Sequence, residues 1–129
     1  MRAGEQSGVI LVVEDEWLLR DDVAGELRRA GWDVLEASTG EGALKLLKDY
    51  DDQIDIVFTD IQLAGYLSGW DVAEAFRAKF PKRLVIYASG NSFDRRRRVS
   101  NSVFFRKPYR AGEVVASCRR SAAQPAVTH

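Results

Sequence analysis

What most constrains this chain is an alternation: short apolar runs and helix-period blocks replace one another from Val9 to Cys118. Val9–Val13 is unbroken apolar sequence, the pattern of a strand buried on both faces. Leu19, Val23 and Leu27 then recur at every fourth residue, one face of a helix that Gly31 ends. Trp32–Ala37 reads as a second strand, and Ser38 with Glu41 three residues on reads as a capping box. The helix it opens turns Ala43, Leu44, Leu47 and Tyr50 inward. Asp55–Thr59 is a third strand that stops at Asp60, and Ser68 caps a helix carrying Val72, Ala73, Phe76 and Phe80, halted by Pro81. Leu84–Ala88 and Val103–Arg106 are the fourth and fifth strands, and a last amphipathic helix after Pro108 presents Val114, Val115 and Cys118.

Strands that alternate with helices imply an α/β fold with a parallel sheet covered on both faces. Right-handed crossovers leave few topologies, and the one expected here is a doubly wound, flavodoxin-like five-stranded sheet of order 2-1-3-4-5. The 129 residues suit a single domain, 1–129, with its core at about 9–120 and flexible tails at 1–8 and 121–129. Nineteen acids balance nineteen bases, which disfavours a protein held to nucleic acid by phosphate neutralisation. No apolar run is long enough to span a bilayer, and Met1–Gly8 has no signal-peptide core. A lone Cys118 forms no internal disulfide, and a lone His129 makes a histidine metal site a poor reading, so the expected location is cytoplasmic.

In open α/β sheets the site lies beyond the carboxyl ends of the strands, where strand order reverses. Here that crevice falls between strands 1 and 3, and the residues next after them are Glu14-Asp15-Glu16 and Asp60. Like charges about 4 Å apart repel by roughly 4 kcal/mol at an effective dielectric of 20, so such a cluster invites a cation. Oxygen ligands without histidine or thiolate favour Mg²⁺, completed by a phosphate oxygen. Strand 4 ends in Ser89-Gly90, a hydroxyl donor beside a residue that lets backbone approach closely, and strand 5 ends in Lys107, a point charge for a phosphoryl oxygen.

Val12-Val13-Glu14-Asp15-Glu16, Asp60-Ile61-Gln62, Ser89-Gly90 and Lys107-Pro108-Tyr109 together resemble the signature of two-component response-regulator receiver domains, over about Val9 to Arg120. The resemblance implies that Asp60 is the phosphoacceptor and Asp15 a direct Mg²⁺ ligand. Glu14 becomes the acid that holds the metal through water, and Gln62 the residue whose backbone carbonyl binds it. Ser89 matches the switch hydroxyl, Phe104 the switch aromatic, and Lys107-Pro108 a cis peptide. The implied reaction is phosphoryl transfer from a phosphohistidine of a sensor histidine kinase or histidine phosphotransfer protein. The chain then acts as a stand-alone regulator or phosphate shuttle, self-catalysed rather than an enzyme, monomeric or weakly dimeric, with an unidentified downstream protein target and no nucleic-acid or membrane contact of its own.

Two stretches depart from the family pattern. Leu63–Gly69 lacks the usual proline after the acceptor and is one residue longer, and Ser89 to Lys107 is shorter by about four residues, roughly one helical turn. A short or irregular fourth helix is therefore expected. Tyr87-Ala88-Ser89-Gly90 resembles the Phe-Ala-Thr-Gly stretch of a divergent receiver subfamily with a nonstandard fourth helix, although Ser92 stands where that motif ends in Tyr. The run Arg95–Arg98 reads first as a solvated charged face. An electron carrier of the same fold would repel its flavin phosphate with Glu14-Asp15-Glu16, and no Gly-x-Gly-x-x-Gly comes after strand 1. The remaining alternatives are a Mg²⁺-dependent phosphatase with an Asp nucleophile, and a pseudo-receiver that binds partners without being phosphorylated.

Overall fold

A computed structural model describes residues 8–91 and 95–123. The strands are β1 (Val9–Val13), β2 (Asp33–Ala37), β3 (Ile54–Asp60), β4 (Leu84–Ser89) and β5 (Ser102–Arg106). The helices are α1 (Trp17–Arg29), α2 (Gly40–Tyr50), α3 (Gly69–Lys79) and α4 (Ala111–Ala123). All neighbouring strands pair in parallel, in the order β2-β1-β3-β4-β5 that the sequence predicts.

Alternate residues of the central strands feed two cores. Ile10, Val12, Ile56, Phe58 and Ile86 pack with Val23 and Leu27 of α1 and Val114, Val115 and Cys118 of α4. Leu11, Val13, Val57, Val85 and Tyr87 pack on the other face with Ala43 and Leu47 of α2 and Val72, Ala73 and Phe76 of α3. This two-sided burial is why the strands read as continuous apolar runs. It also fixes register, because a one-residue slip would exchange the two faces.

The local signals hold with a few displacements. Gly31 ends α1 at φ 100°, a conformation that favours glycine. Ser68 caps α3 through a capping box, Asp71 N–H to Ser68 Oγ at 3.4 Å and Ser68 N–H to Asp71 Oδ2 at 2.7 Å. The cap of α2 is Thr39 rather than Ser38, its Oγ1 accepting from Gly42 N–H at 2.9 Å. Glu41 accordingly falls outside a capping box, and its carboxylate accepts instead from Tyr66 N–H. Tyr50 ends α2 on the exposed side rather than inward.

Between β4 and β5 the described residues form a single 3-10 turn, Arg95–Arg97, in place of a regular helix. At the other end, α4 takes in residues 121–123, so that part of the expected tail is helical. Residues 1–7, 124–129 with His129, and Ser92 with its neighbours to 94 lie outside the described residues.

The loop after β3 is shaped by one close approach. Gly69 N–H donates to Ile61 O at 2.8 Å, and a Cβ at Gly69 would stand 2.1 Å from the Asp60 carbonyl oxygen. Gly69→Ala should therefore displace the strand end that carries Asp60 and lose about 1–3 kcal/mol of stability. Chemical denaturation measures this, and a midpoint equal to the parent's would show that the loop yields freely.

Candidate functional site

Ladder hydrogen bonds continue past the strand ends and set the site residues in one plane. Glu14 N–H donates to Ala37 O at 3.0 Å, Ile61 N–H to Ala88 O at 3.0 Å, and Lys107 N–H to Ser89 O at 2.7 Å. Glu14 and Lys107 are thus held at the carboxyl end of the sheet, where Asp60 ends β3, while the Ile61 side chain turns into the core. One carboxylate oxygen from each of Glu14, Asp15 and Asp60 lies within 4.8 Å of the others. Lys107 Nζ stands 2.9 Å from Asp60 Oδ2 and 3.1 Å from Glu14 Oε1.

The acids differ in environment. Glu14 is 1% exposed and Asp60 5%, whereas Asp15 is exposed. Glu14 Oε2 accepts from Glu16 N–H at 3.1 Å, while Oε1, close to the Lys107 amine, receives no aligned hydrogen bond among the described residues. Burial foremost, with the Asp60 charge adding to it, pushes the Glu14 carboxyl up to about 7; the Glu16 amide and Lys107 only partly oppose this. Burial also works against the Lys107 ammonium, but the hydrogen bonds and charges of Asp60 and Glu14 prevail and raise its pKa. One ammonium among three carboxylates leaves negative charge uncompensated. An all-oxygen donor set with a buried carboxylate oxygen that receives no aligned hydrogen bond among the described residues fits a hard divalent cation.

Of the remaining candidates, Gln62 is the one bonded to Asp60 among the described residues. Gln62 N–H donates to Asp60 Oδ1 at 3.2 Å, and its side-chain oxygen accepts from Asn91 Nδ2 at 2.9 Å. Ser89 is buried at the end of β4, and its Oγ accepts from Asn91 N–H at 3.1 Å. Phe104, on β5, stacks among Tyr87 at 5.9 Å and Trp70 at 6.5 Å between ring centroids. The Lys107-Pro108 peptide is cis.

The arginine run is exposed yet engaged, which corrects its reading as a merely solvated face. Arg95 lies 4.0 Å over the Phe104 ring, and Arg97 bridges Asp71 at 3.0 Å and Glu74 at 2.7 Å on α3. Arg98 donates to Ser102 Oγ at 2.8 Å. Sequence reasoning missed Asn91, Arg20 and Tyr109. Arg20 Nη1 donates to the Glu14 carbonyl at 2.9 Å. The Tyr109 hydroxyl is buried without a hydrogen bond among the described residues, and burial, then the Glu14 and Asp60 charges, raise its pKa. The only advance signal for Tyr109 was its place in Lys107-Pro108-Tyr109.

The response regulator receiver domain family matches residues 10–118. The response regulator receiver protein from Sinorhizobium medicae superposes with a TM-score of 0.83 at 29% identity, over 89% of this chain and 94% of that one. A probable transcriptional regulatory protein of Picosynechococcus sp. is 32% identical over 85% of this chain and 47% of its own length. A cyclic di-GMP phosphodiesterase of Thermotoga maritima is 33% identical over 59% of this chain and 19% of its own length. The chain thus spans less than half the length of these two curated relatives. It belongs to the response regulator receiver domain family of two-component signalling. Among the described residues no helix is long and apolar enough to cross a membrane.

The Glu14 environment sets a pH dependence. Its folded pKa of about 7 exceeds the ordinary 4.5, so the folded state binds more protons than the unfolded state between those values. The associated stability is present below about 4.5 and lost as pH rises through about 7. In EDTA, unfolding free energy should fall over that window by about 3 kcal/mol, as the shift converts at 1.36 kcal/mol per unit. Glu14→Gln should flatten the profile, as denaturant titrations at several pH values would record; an identical slope would place the proton elsewhere.

Proposed function

We propose that this chain is a phosphoacceptor receiver in which Asp60 takes a phosphoryl group from a phosphohistidine. The donor is a sensor histidine kinase or a histidine phosphotransfer protein, and the setting is the cytoplasm. The observation that carries this reading is the Lys107 amine, 2.9 Å from Asp60 Oδ2 at the rim of a three-carboxylate cluster. A pseudo-receiver would have no use for that arrangement.

In the reaction, an Asp60 carboxylate oxygen attacks phosphorus. The phosphorus–nitrogen bond breaks, and the imidazole leaves with the electron pair. Glu14, Asp15, Asp60 and the Gln62 backbone carbonyl would hold Mg²⁺, which supplies neutralisation of the phosphoryl oxygens' charge when bound. Lys107 already points at the acceptor carboxylate, so its ammonium can pass to a phosphoryl oxygen without reorganisation. Positioning and charge account for most of the rate in such a transfer.

The readout begins at Ser89. Its hydroxyl, now held to the Asn91 amide, can turn to donate to a phosphoryl oxygen, with the backbone at Gly90 moving after it. That movement frees the 90–91 turn and with it the Gln62–Asn91 bond. Phe104 is the aromatic whose packing against Tyr87 and Trp70 would then change, altering the face presented to a downstream protein. We take the chain as one receiver unit that catalyses only its own phosphorylation and dephosphorylation, without activity on other substrates, and works as a monomer or weak dimer.

Incubation with a small-molecule phosphodonor and Mg²⁺, then intact-mass measurement, tests the assignment. The parent protein should gain one phosphoryl group and Asp60→Asn none, while Lys107→Ala should slow labelling by about 10²–10³. Equal labelling of the parent and Asp60→Asn would remove Asp60 from the acceptor role. Absence of label on the parent with this donor and with a phosphorylated histidine phosphotransfer domain would favour the pseudo-receiver. Steady release of phosphate from a phosphomonoester would favour the phosphatase.

A further inference from the structure

Helix α1 starts without the usual local support. Its N-cap, Glu16, makes no side-chain capping bond, and the first turn holds no acid. Two other contacts fix the turn from β1 into α1. Glu14 Oε2 reaches forward to Glu16 N–H at 3.1 Å, and Arg20 reaches back from α1 to the Glu14 carbonyl at 2.9 Å.

The Arg20 guanidinium is itself oriented from the neighbouring strand. Its Nε donates to Glu36 Oε1 on β2 at 3.2 Å, and the other Glu36 oxygen lies 3.1 Å from Arg28 Nη1. Arg28 Nη2 in turn donates to the Val34 carbonyl at 3.1 Å. The fork thus joins three elements: α1, the edge strand β2, and the peptide that links Glu14 to Asp15. With Glu14 N–H already committed to Ala37 O, both polar groups of the Glu14 backbone are pinned.

We propose that Arg20 is a positioning residue for the divalent-cation site, setting the Glu14-Asp15 peptide so that both carboxylates meet Asp60, with Glu36 as the group that orients it. The inference rests on the reading of the acidic cluster as a Mg²⁺ site. A planar guanidinium suits the task because two donors in a fixed fork can serve two acceptors at once, which a lysine ammonium does less rigidly. Outer partners that orient metal ligands typically contribute 10–100-fold in metal affinity.

The sign of the effect separates positioning from charge. Arg20 is a cation bonded to the backbone of one of the site's acids, so through-space electrostatics alone predicts that its removal strengthens Mg²⁺ binding. Positioning predicts the reverse. Calorimetric titration of the full chain with Mg²⁺ should show Arg20→Ala binding about tenfold more weakly than the parent. Arg20→Lys keeps the charge and loses the fork, and should fall severalfold between the two. Thermal unfolding in EDTA reports folding independently, and if Arg20→Ala does not fold, Arg20→Lys and Glu36→Gln carry the test. Affinity that is unchanged or tighter in every folded variant overturns the inference.

Asp15→Asn serves as the control on the underlying reading. If the parent binds Mg²⁺ and Asp15→Asn does not, the acidic cluster stands as the metal site whatever the Arg20 variants do. If the parent itself takes up no Mg²⁺, the metal reading fails and this inference fails with it.

Discussion

The Lys107 ammonium, set between Asp60 at 2.9 Å and Glu14 at 3.1 Å, is the interaction on which the rest of the structure depends. Both carboxylates are almost fully buried, and a buried carboxylate without a partner would be neutralised or would destabilise the fold by several kcal/mol. The amine comes from the end of β5, whose only neighbour in the sheet among the described residues is β4. Docking of β5 is therefore a condition for the acids beyond β1 and β3 to coexist. The bond from Lys107 N–H to the Ser89 carbonyl ties that docking to the end of β4, where the Ser89 hydroxyl sits. One cation serves more anionic charge than it can balance. A site built this way would gain from a further cation, and crowded acids reduce the resting state's own stability.

The connection from β4 to β5 shows how side chains can replace a secondary-structure element. Within the described residues one 3-10 turn stands where a helix is expected, and a single turn buries little apolar surface of its own. Anchorage comes from side chains instead: Arg97 on Asp71 and Glu74, Arg77 on the Ser100 carbonyl, and the buried Tyr87 hydroxyl accepting from Val99 N–H at 3.1 Å. Asp71 also closes the capping box of α3, so the guanidinium grips the helix beside the loop that leaves Asp60. Exposed ion pairs of this kind contribute little each, about 0–1 kcal/mol, so the segment is held by several weak contacts together with Val99, which packs against the core. That is a suitable construction for a region expected to rearrange when Ser89 turns.

The fold was legible because both faces of the sheet are buried, which writes the strands as apolar runs with little ambiguity. The site was legible for a related reason. Parallel strands all end on the same side of the sheet, so the meeting of Glu14, Asp15, Asp60 and Lys107 could be expected from their places at the strand ends. The misplaced features depend on geometry that periodicity does not carry. Ser38 and Thr39 are both competent caps, and only the path of the chain into α2 decides for Thr39. The arginine run offered charge without direction, because the partners of Arg97 lie on α3, more than twenty residues earlier. The bond from Arg20 was invisible in the sequence since its acceptor is a backbone carbonyl, and every residue has one.

The three acids share a charge and do not share a role. Asp15 faces solvent, which suits a group that meets a hydrated cation first. Asp60 is buried but held by Lys107 and by the Gln62 amide, so its carboxylate is already oriented for the acceptor role proposed for it. Glu14 is buried deepest and least satisfied, with one oxygen spent on the Glu16 amide and the other lacking an aligned donor. It is the group whose ionisation is most sensitive to whatever enters the pocket.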